Sequence, residues 1–290
     1  MVDLLQSIAD GLLFGATYAL IGVGFTLVFG VMHKINMAYA AASVAGAYAG
    51  VALMAKLALP IWSVIVLSCI AGALFGYVIY LLCFRFIPLS APLATLMSTV
   101  GMLLLIDEIV VHATAGMPVN FPTFVRGMVH IGEFSLRGDL MFVFLVAVLV
   151  TAGLLYLLYR TRLGLATRAV SQQPVAAQLC GMSLAQVNAG TFTITGALGG
   201  IAGALIGSAV GMLSPLLVAP LTVKGLIVTV IGGLGSIPGA IAAGLLVGAA
   251  ENAFQFARGV TERDIYVMLL LFVFLVFRPG GIAGTDPARK

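Results

Sequence analysis

Apolar runs of about twenty residues follow one another along almost the whole chain, and a helix of that length crosses a hydrocarbon core about 30 Å thick. The runs occupy 8–31, 36–55, 61–84, 92–111, 140–159, 187–213, 237–256 and 261–277. Charged residues make up only 8% of the sequence, against about 25% in a soluble domain. Such a surface has to be solvated by lipid. The expected fold is therefore all-α: one polytopic transmembrane domain over 1–290 with about eight spanning helices. The longest extramembrane stretch, 113–138, reads as a loop too short to build a core of its own.

Several functional classes are excluded at this stage. No Gly-rich phosphate loop ending in Gly-Lys-Ser/Thr occurs, so the chain cannot hold ATP in that manner. His33, His112 and His130 have neither ligand nor triad spacing. Cys69, Cys83 and Cys180 are isolated and read as small apolar residues. No catalytic residue, metal site or cofactor is expected in this chain. The formal charge of +4 implies no nucleic acid, because the cations follow membrane sidedness. Asp3 and Asp10 stand at the start and the first cation is Lys34, so the first run reads as a retained span rather than a cleaved signal.

A second polar interruption is 160–186. It carries Arg160, Arg162 and Arg168 with no acidic residue, the pattern of a cytoplasmic loop. Pro174 can open a helix, since the first helical position needs no N–H partner, and Gly181 is placed to end it. That predicts a helix of about two turns with Val175 and Leu179 on one face at i, i+4. An ordinary solvated loop and a docking helix for a cytoplasmic partner both fit.

This loop resembles the coupling loop of branched-chain amino-acid ABC transporter permeases, approximately T-R-x-G-x-A-x-R-A-V followed by A-A-x-x-x-G. Arg162, Leu163, Gly164, Arg168 and Ala169 fall in the first part, and Ala176, Ala177, Leu179, Gly181 and Met182 in the second. The resemblance implies that the helix from Pro174 is where an ATPase subunit docks. It extends to the first run, where Gly11, Gly15, Tyr18, Gly22 and Gly30 match the family's opening helix. The spacing of Gly11, Gly15 and Ala19 suits close helix packing, while Thr17, Tyr18 and Thr26 are candidates for lining a pore. Asn36 opens the second run as in the family's I-N-F-A-H-G-E, but Tyr39, Ala40 and Ala41 replace its His, Gly and acidic positions. The resemblance therefore does not fix the substrate.

A second break, Gly232, Gly233, Gly235, Ser236 and Gly239 around Pro238, resembles the family's G-G-I-G-S-x-x-G-A motif. The nine residues 223–231 before it rise about 14 Å, too little to cross. The segment 223–239 thus reads as a re-entrant half-helix and a glycine turn. Irregular backbone at membrane depth survives where it is buried or lines a cavity, and the translocation path is expected there, with Thr17, Tyr18, Asn36 and Tyr39. Elsewhere, the adjacent Asp107 and Glu108 point about 100° apart on a helix and form no catalytic pair. Glu251 and Arg258, seven apart, could share a helix face as an ion pair.

With the Arg-rich loop inside, the N-terminus is expected on the periplasmic side. The breaks at Lys34 and Arg85 and the C-terminus are expected inside, the re-entrant element being invoked to hold the C-terminus there. Inner segments then hold Lys34, Arg85, Arg160, Arg162, Arg168, Arg278, Arg289 and Lys290, eight of the fourteen cations. The resemblance implies an inner-membrane importer permease for a branched-chain or other hydrophobic amino acid or similar small solute. Its implied partners are two cytoplasmic ATPase subunits binding ATP-Mg, a second permease, like or unlike, and a periplasmic substrate-binding protein. A stand-alone secondary transporter or channel with a broken-helix site is the alternative. The scarcity of ionisable residues in the runs speaks against it.

Overall fold

The computed structural model describes residues 2–87, 91–125, 127–131, 134–259, 263–278 and 280–283. Pro88, Arg126, Arg289, Lys290 and the C-terminus lie outside the described residues. The helices are α1 (Val2–Met32), α2 (Tyr39–Leu57), α3 (Ser63–Ile79), α4 (Pro92–Thr114), α5 (Gly138–Arg160), α6 (Arg162–Gln172), α7 (Pro174–Leu179), α8 (Leu184–Val210), α9 (Val218–Gly232), α10 (Ile237–Arg258) and α11 (Arg263–Phe277). α3 continues as a π-helical stretch, Tyr80–Phe84, and a 3-10 turn, Pro215–Leu217, leads into α9. Among the described residues, eight helices are long and apolar enough to cross a membrane.

Stripes of small residues explain how these helices pack. Gly11 and Gly15 of α1 face Gly244 and Gly248 of α10, and a Cβ on Gly11 would lie 2.6 Å from the Gly248 carbonyl oxygen. Gly72 and Gly76 of α3 meet Gly196 and Gly200 of α8 with similar closeness. In lipid, where apolar surface gains little by being covered, such backbone contact is what holds helices together. The core around these seams buries Leu20, Ile21, Tyr39, Val44, Phe192 and Leu205.

The stretch read as a plain loop between α4 and α5 contains strands. β1 (Val119–Asn120) pairs with β4 (Met212–Leu213), and β2 (Met128–Ile131) forms an antiparallel hairpin with β3 (Phe134–Arg137). Phe121 tucks against Gly207, and its N–H donates to the Gly211 carbonyl (3.1 Å). These contacts tie the stretch after α4 to the end of α8.

Helix directions correct the reading of 223–239. α9 starts at Val218, five residues earlier than expected, and with its 3-10 turn the unit Pro215–Gly232 reaches spanning length. Gly225 packs on Ile21 and Phe25, and Gly235 lies beside Gly30, so α9 runs parallel to α1 along the second half of that helix. It is long and apolar enough to be a pass of its own, where nine residues would not be. α11, read as the eighth span, is shorter, at 15 residues.

Counting α9 also corrects the parity. Eight spans plus a re-entrant turn would leave both ends of the chain on one side, whereas nine alternating helices separate them. Gln6 donates to Ser135 at the end where α5 begins, while the Ile282 and Ala283 N–H groups donate to the Ile231 and Gly232 carbonyls beside Gly30. The re-entrant element is not needed to part the two ends.

Candidate functional site

The segment after α5 folds into two helices, where the sequence suggested one. Thr161 caps α6, its hydroxyl oxygen accepting from the Gly164 N–H (3.2 Å). Gly164 is where α6 turns back on α5: a Cβ there would collide with the Leu157 and Leu158 carbonyl oxygens. The glycine of the loop motif thus has a local cause. Leu163 reaches across to Gly190 of α8.

α7 spans Pro174–Leu179, as the Pro and Gly signals predicted. Gly181 adopts φ +83°. Its N–H donates to the Gln178 carbonyl (2.9 Å) and the Met182 N–H to the Ala177 carbonyl (3.1 Å), a complete Schellman ending. One side of this short helix is anchored. Ala177 is buried and Met182 packs beside it in an apolar cluster that includes Val23, Leu27 and Val31 of α1, Leu154 and Leu158 of α5 and Val170 of α6. The other side is bare: Val175 is 69% exposed and Leu179 85%. Pro174 and Ala176 are exposed with them. The helix thus packs on α6 and α8, in the same apolar cluster as the second half of α1, while it presents two aliphatic side chains outward.

Arg160, Arg162 and Arg168 are exposed, and Ala169 packs against the same apolar cluster. The Arg168 guanidinium sits over the Tyr159 ring, 5.2 Å from its centroid. From there Arg168 faces a cavity of about 360 Å³ bounded by α1, α5, α6 and the turn between α9 and α10. Gly235 and Ser236 of the glycine break line that cavity beside Arg168. The two motifs singled out separately in the sequence therefore meet at one place.

The remaining path candidates lie elsewhere. Gly232 presses against Gly239 and Ala240, closing the α9–α10 turn. Gly233 (φ +97°) shapes it, with Gly281 packed alongside. Thr17 is fully buried and donates to its own helix at Phe14 (2.8 Å). Asn36 accepts from the Ala38 N–H (3.2 Å) just before α2. Tyr39 is buried edge-on to Phe25, its hydroxyl against Gly24. None of these positions lines the cavity described above. The break itself lies level with Gly30, near the end of α1, rather than midway along the bundle.

Tyr18 belongs to a charged cluster that the sequence did not reveal. The Lys224 ammonium donates to Glu251 Oε1 (2.7 Å) and the Tyr18 hydroxyl (3.3 Å) and contacts Asp264 Oδ1 (3.1 Å). Glu251 thus pairs across helices with Lys224 and not with Arg258 along its own. Lys224 is buried in the bundle. Glu108 pairs with His112 on an exposed face (3.1 Å). Lys34 is also buried, donating to Thr95 Oγ1 (2.8 Å), and burial pushes its ammonium below the usual lysine range. Among the described residues no group of three or more His, Cys, Asp or Glu side chains could hold a metal ion.

Residues 7–277 match the family model described as branched-chain amino acid transport system / permease component. The chain is 32% identical to the high-affinity branched-chain amino acid transport system permease protein BraD of Pseudomonas aeruginosa, over 99% of this chain and 97% of that one. It is 29% identical to the corresponding protein LivH of Escherichia coli over the same shares. Among solved structures, PsaBC from Streptococcus pneumoniae in complex with Fab superposes with a TM-score of 0.51 at 12% identity, covering 93% of this chain and 91% of that one. That likeness is one of fold alone.

Proposed function

This chain belongs to the branched-chain amino acid transport system permease component family, and on that premise we propose how its parts are used. It is a multi-pass membrane subunit of an ATP-binding-cassette transporter and not itself an enzyme; ATP hydrolysis lies in separate subunits. The stand-alone transporter or channel is not favoured.

The exposed face of α7 carries the finer reading. Val175 and Leu179 point away from a helix whose opposite side, at Ala177, is anchored on α6 and α8 within the apolar cluster that also holds α1 and α5 residues. An aliphatic pair left bare on a short anchored helix suits insertion into a groove of a partner. That partner is the ATPase subunit, two per transporter, with Arg160, Arg162 and Arg168 flanking the contact. Movement of α7 passes through the cluster to the lower half of α1 and alternates access to a central path. A second permease, like or unlike, completes the membrane part, and a binding protein delivers a branched-chain amino acid or similar small solute to the outer face. The α6–α7 end is cytoplasmic and the N-terminal end periplasmic.

Purification of the tagged chain with its neighbouring gene products tests this. ATPase subunits are expected to co-purify, and Arg168→Glu is expected to weaken their recovery or to uncouple hydrolysis from amino-acid uptake. A chain that purifies alone and moves substrate in liposomes without ATP would overturn the reading.

A further inference from the structure

Between α2 and α4, at the end of the bundle that carries the β1–β4 pair, lies a second cavity of about 440 Å³. Ala49 and Ala52 of α2, Phe75 of α3, Ile106 and Ile109 of α4 and Val119 of β1 form most of its wall. Two polar side chains, Tyr48 and Thr114, complete its described lining, and both have spent their protons inside the protein. The Tyr48 hydroxyl donates to the Leu213 carbonyl (2.7 Å), and the Thr114 hydroxyl to the Val110 carbonyl (2.8 Å). An amino acid entering here would find no donor for its carboxylate on any lining side chain. The wall is suited to hydrocarbon.

The mouth of the cavity is apolar as well. Ile109 is 58% exposed and Ala52 is exposed beside it, with Leu53 of α2 and Leu105 of α4 bare nearby. Both helices are long and apolar enough to cross a membrane, so this surface faces acyl chains. α4 meets the rest of the bundle chiefly through α2 and the π-helical end of α3. The gap therefore falls where α4 has least to pack on. Lys56 stands in the last turn of α2, next to the lining residue Ala55. It is exposed and, among the described residues, pairs with no carboxylate. A lysine at the end of a spanning helix holds its ammonium at the depth of the lipid headgroups.

We propose that this cavity binds one acyl chain of an anionic phospholipid, with Lys56 beside the headgroup phosphate at its mouth. The donor-free wall selects hydrocarbon, the apolar mouth admits it sideways from the bilayer, and the lysine sets the depth of the headgroup. The chain fills the gap between α2 and α4 and supplies packing that α4 lacks in the bare protein. The site does not depend on how transport is driven.

The test uses the complex with its ATPase subunits, purified in detergent, stripped of lipid and titrated with phosphatidylglycerol bearing a photoactivatable diazirine in one acyl chain. Labelled peptides are expected from 45–55 and 106–114, and the melting temperature is expected to rise as the lipid is added. Ala52→Phe fills the cavity from α2. It should raise the melting temperature in detergent while removing both the labelling and the further rise with lipid. Ala49→Leu gives the same reading if the larger ring is not accommodated. Lys56→Gln should leave melting in detergent unchanged and weaken phosphatidylglycerol binding about fivefold, the worth of one lysine beside anionic lipid. Labelling spread evenly over the outward faces of α3 and α11, or a lipid response unchanged in both filling variants, would overturn the inference. So would a crosslink to another subunit from a photoreactive residue in place of Ile109, since the gap would then be a protein contact. If no ATPase subunit is recovered, the permease reading fails, and the same titration of the full chain still decides the lipid site.

Discussion

Lys224 and Glu251 meet at 2.7 Å between α9 and α10, their side chains only 7% and 3% exposed. A charge pair at that depth is costly to desolvate, and breaking it is costlier than removing it whole. Lys224→Met, which takes the ammonium away from the buried Glu251 carboxylate, should cost about 3–5 kcal/mol. The double variant Lys224→Met/Glu251→Leu should recover most of the loss. Thermal unfolding of the four proteins in nanodiscs measures the coupling, and simple additivity of the two single changes would show that the pair does not act as a unit.

Glycines separate into those that set helix spacing and those that do not. Gly248→Ala would put a methyl group into Gly11 and Gly15 of α1, and prising two packed helices apart should cost about 1–3 kcal/mol. Gly153, midway along α5, faces open space, with nothing within 4 Å of where a Cβ would stand. Gly153→Ala should therefore be neutral or stabilise by about 0.5–1 kcal/mol through helix propensity. Melting midpoints that moved the same way in both variants would contradict the packing argument.

Gly235 turns the chain between α9 and α10 with φ +88°. Gly235→Ala places a side chain in left-handed backbone at a cost of about 1–2 kcal/mol. Gly235→Asn should cost less, because asparagine tolerates that region. The order of stability expected in a melt is Gly, then Asn, then Ala.

Leu179→Asp and Val175→Asp alter side chains that touch little of this protein, so expression and melting temperature should stay near wild type. Recovery of the ATPase subunits in a pull-down, and with it ATP-driven uptake, should drop about tenfold or more, since each change sets a charge against an apolar groove. Normal recovery with both substitutions in place would remove α7 from the interface.

The features legible in the sequence were those with local causes. α7 begins at Pro174 and ends on the left-handed Gly181 because a ring-locked φ and a missing Cβ act within a few residues. The boundaries of α5 and α8 were equally readable from the polarity change on either side of the loop. α6 was missed although Thr161 offers a cap, because its polar, Arg-bearing sequence lacks a long apolar face. The Lys224 cluster was missed for a different reason: the partners of that lysine lie 27 and 206 residues away, at Glu251 and Tyr18. Nothing near a lysine in the sequence tells whether it will find a carboxylate inside a bundle. The length of α9 was underestimated because Pro220 looks like an interruption until the helix is seen to carry it.

The contact of Ile282 and Ala283 with the last carbonyls of α9 also bears on biogenesis. A helix end inside a bilayer cannot leave its carbonyls bare, yet the N–H groups that serve Ile231 and Gly232 belong to a segment synthesised only after α10 and α11. While the ribosome is still making those helices, the end of α9 has to borrow other partners, from lipid headgroups, water or the insertion machinery. The α9–α10 turn, and the wall of the Arg168 cavity that it forms, therefore reach their final shape late in synthesis. A stop codon placed just before Gly281 should yield a chain that inserts all of its helices but leaves that corner unfastened.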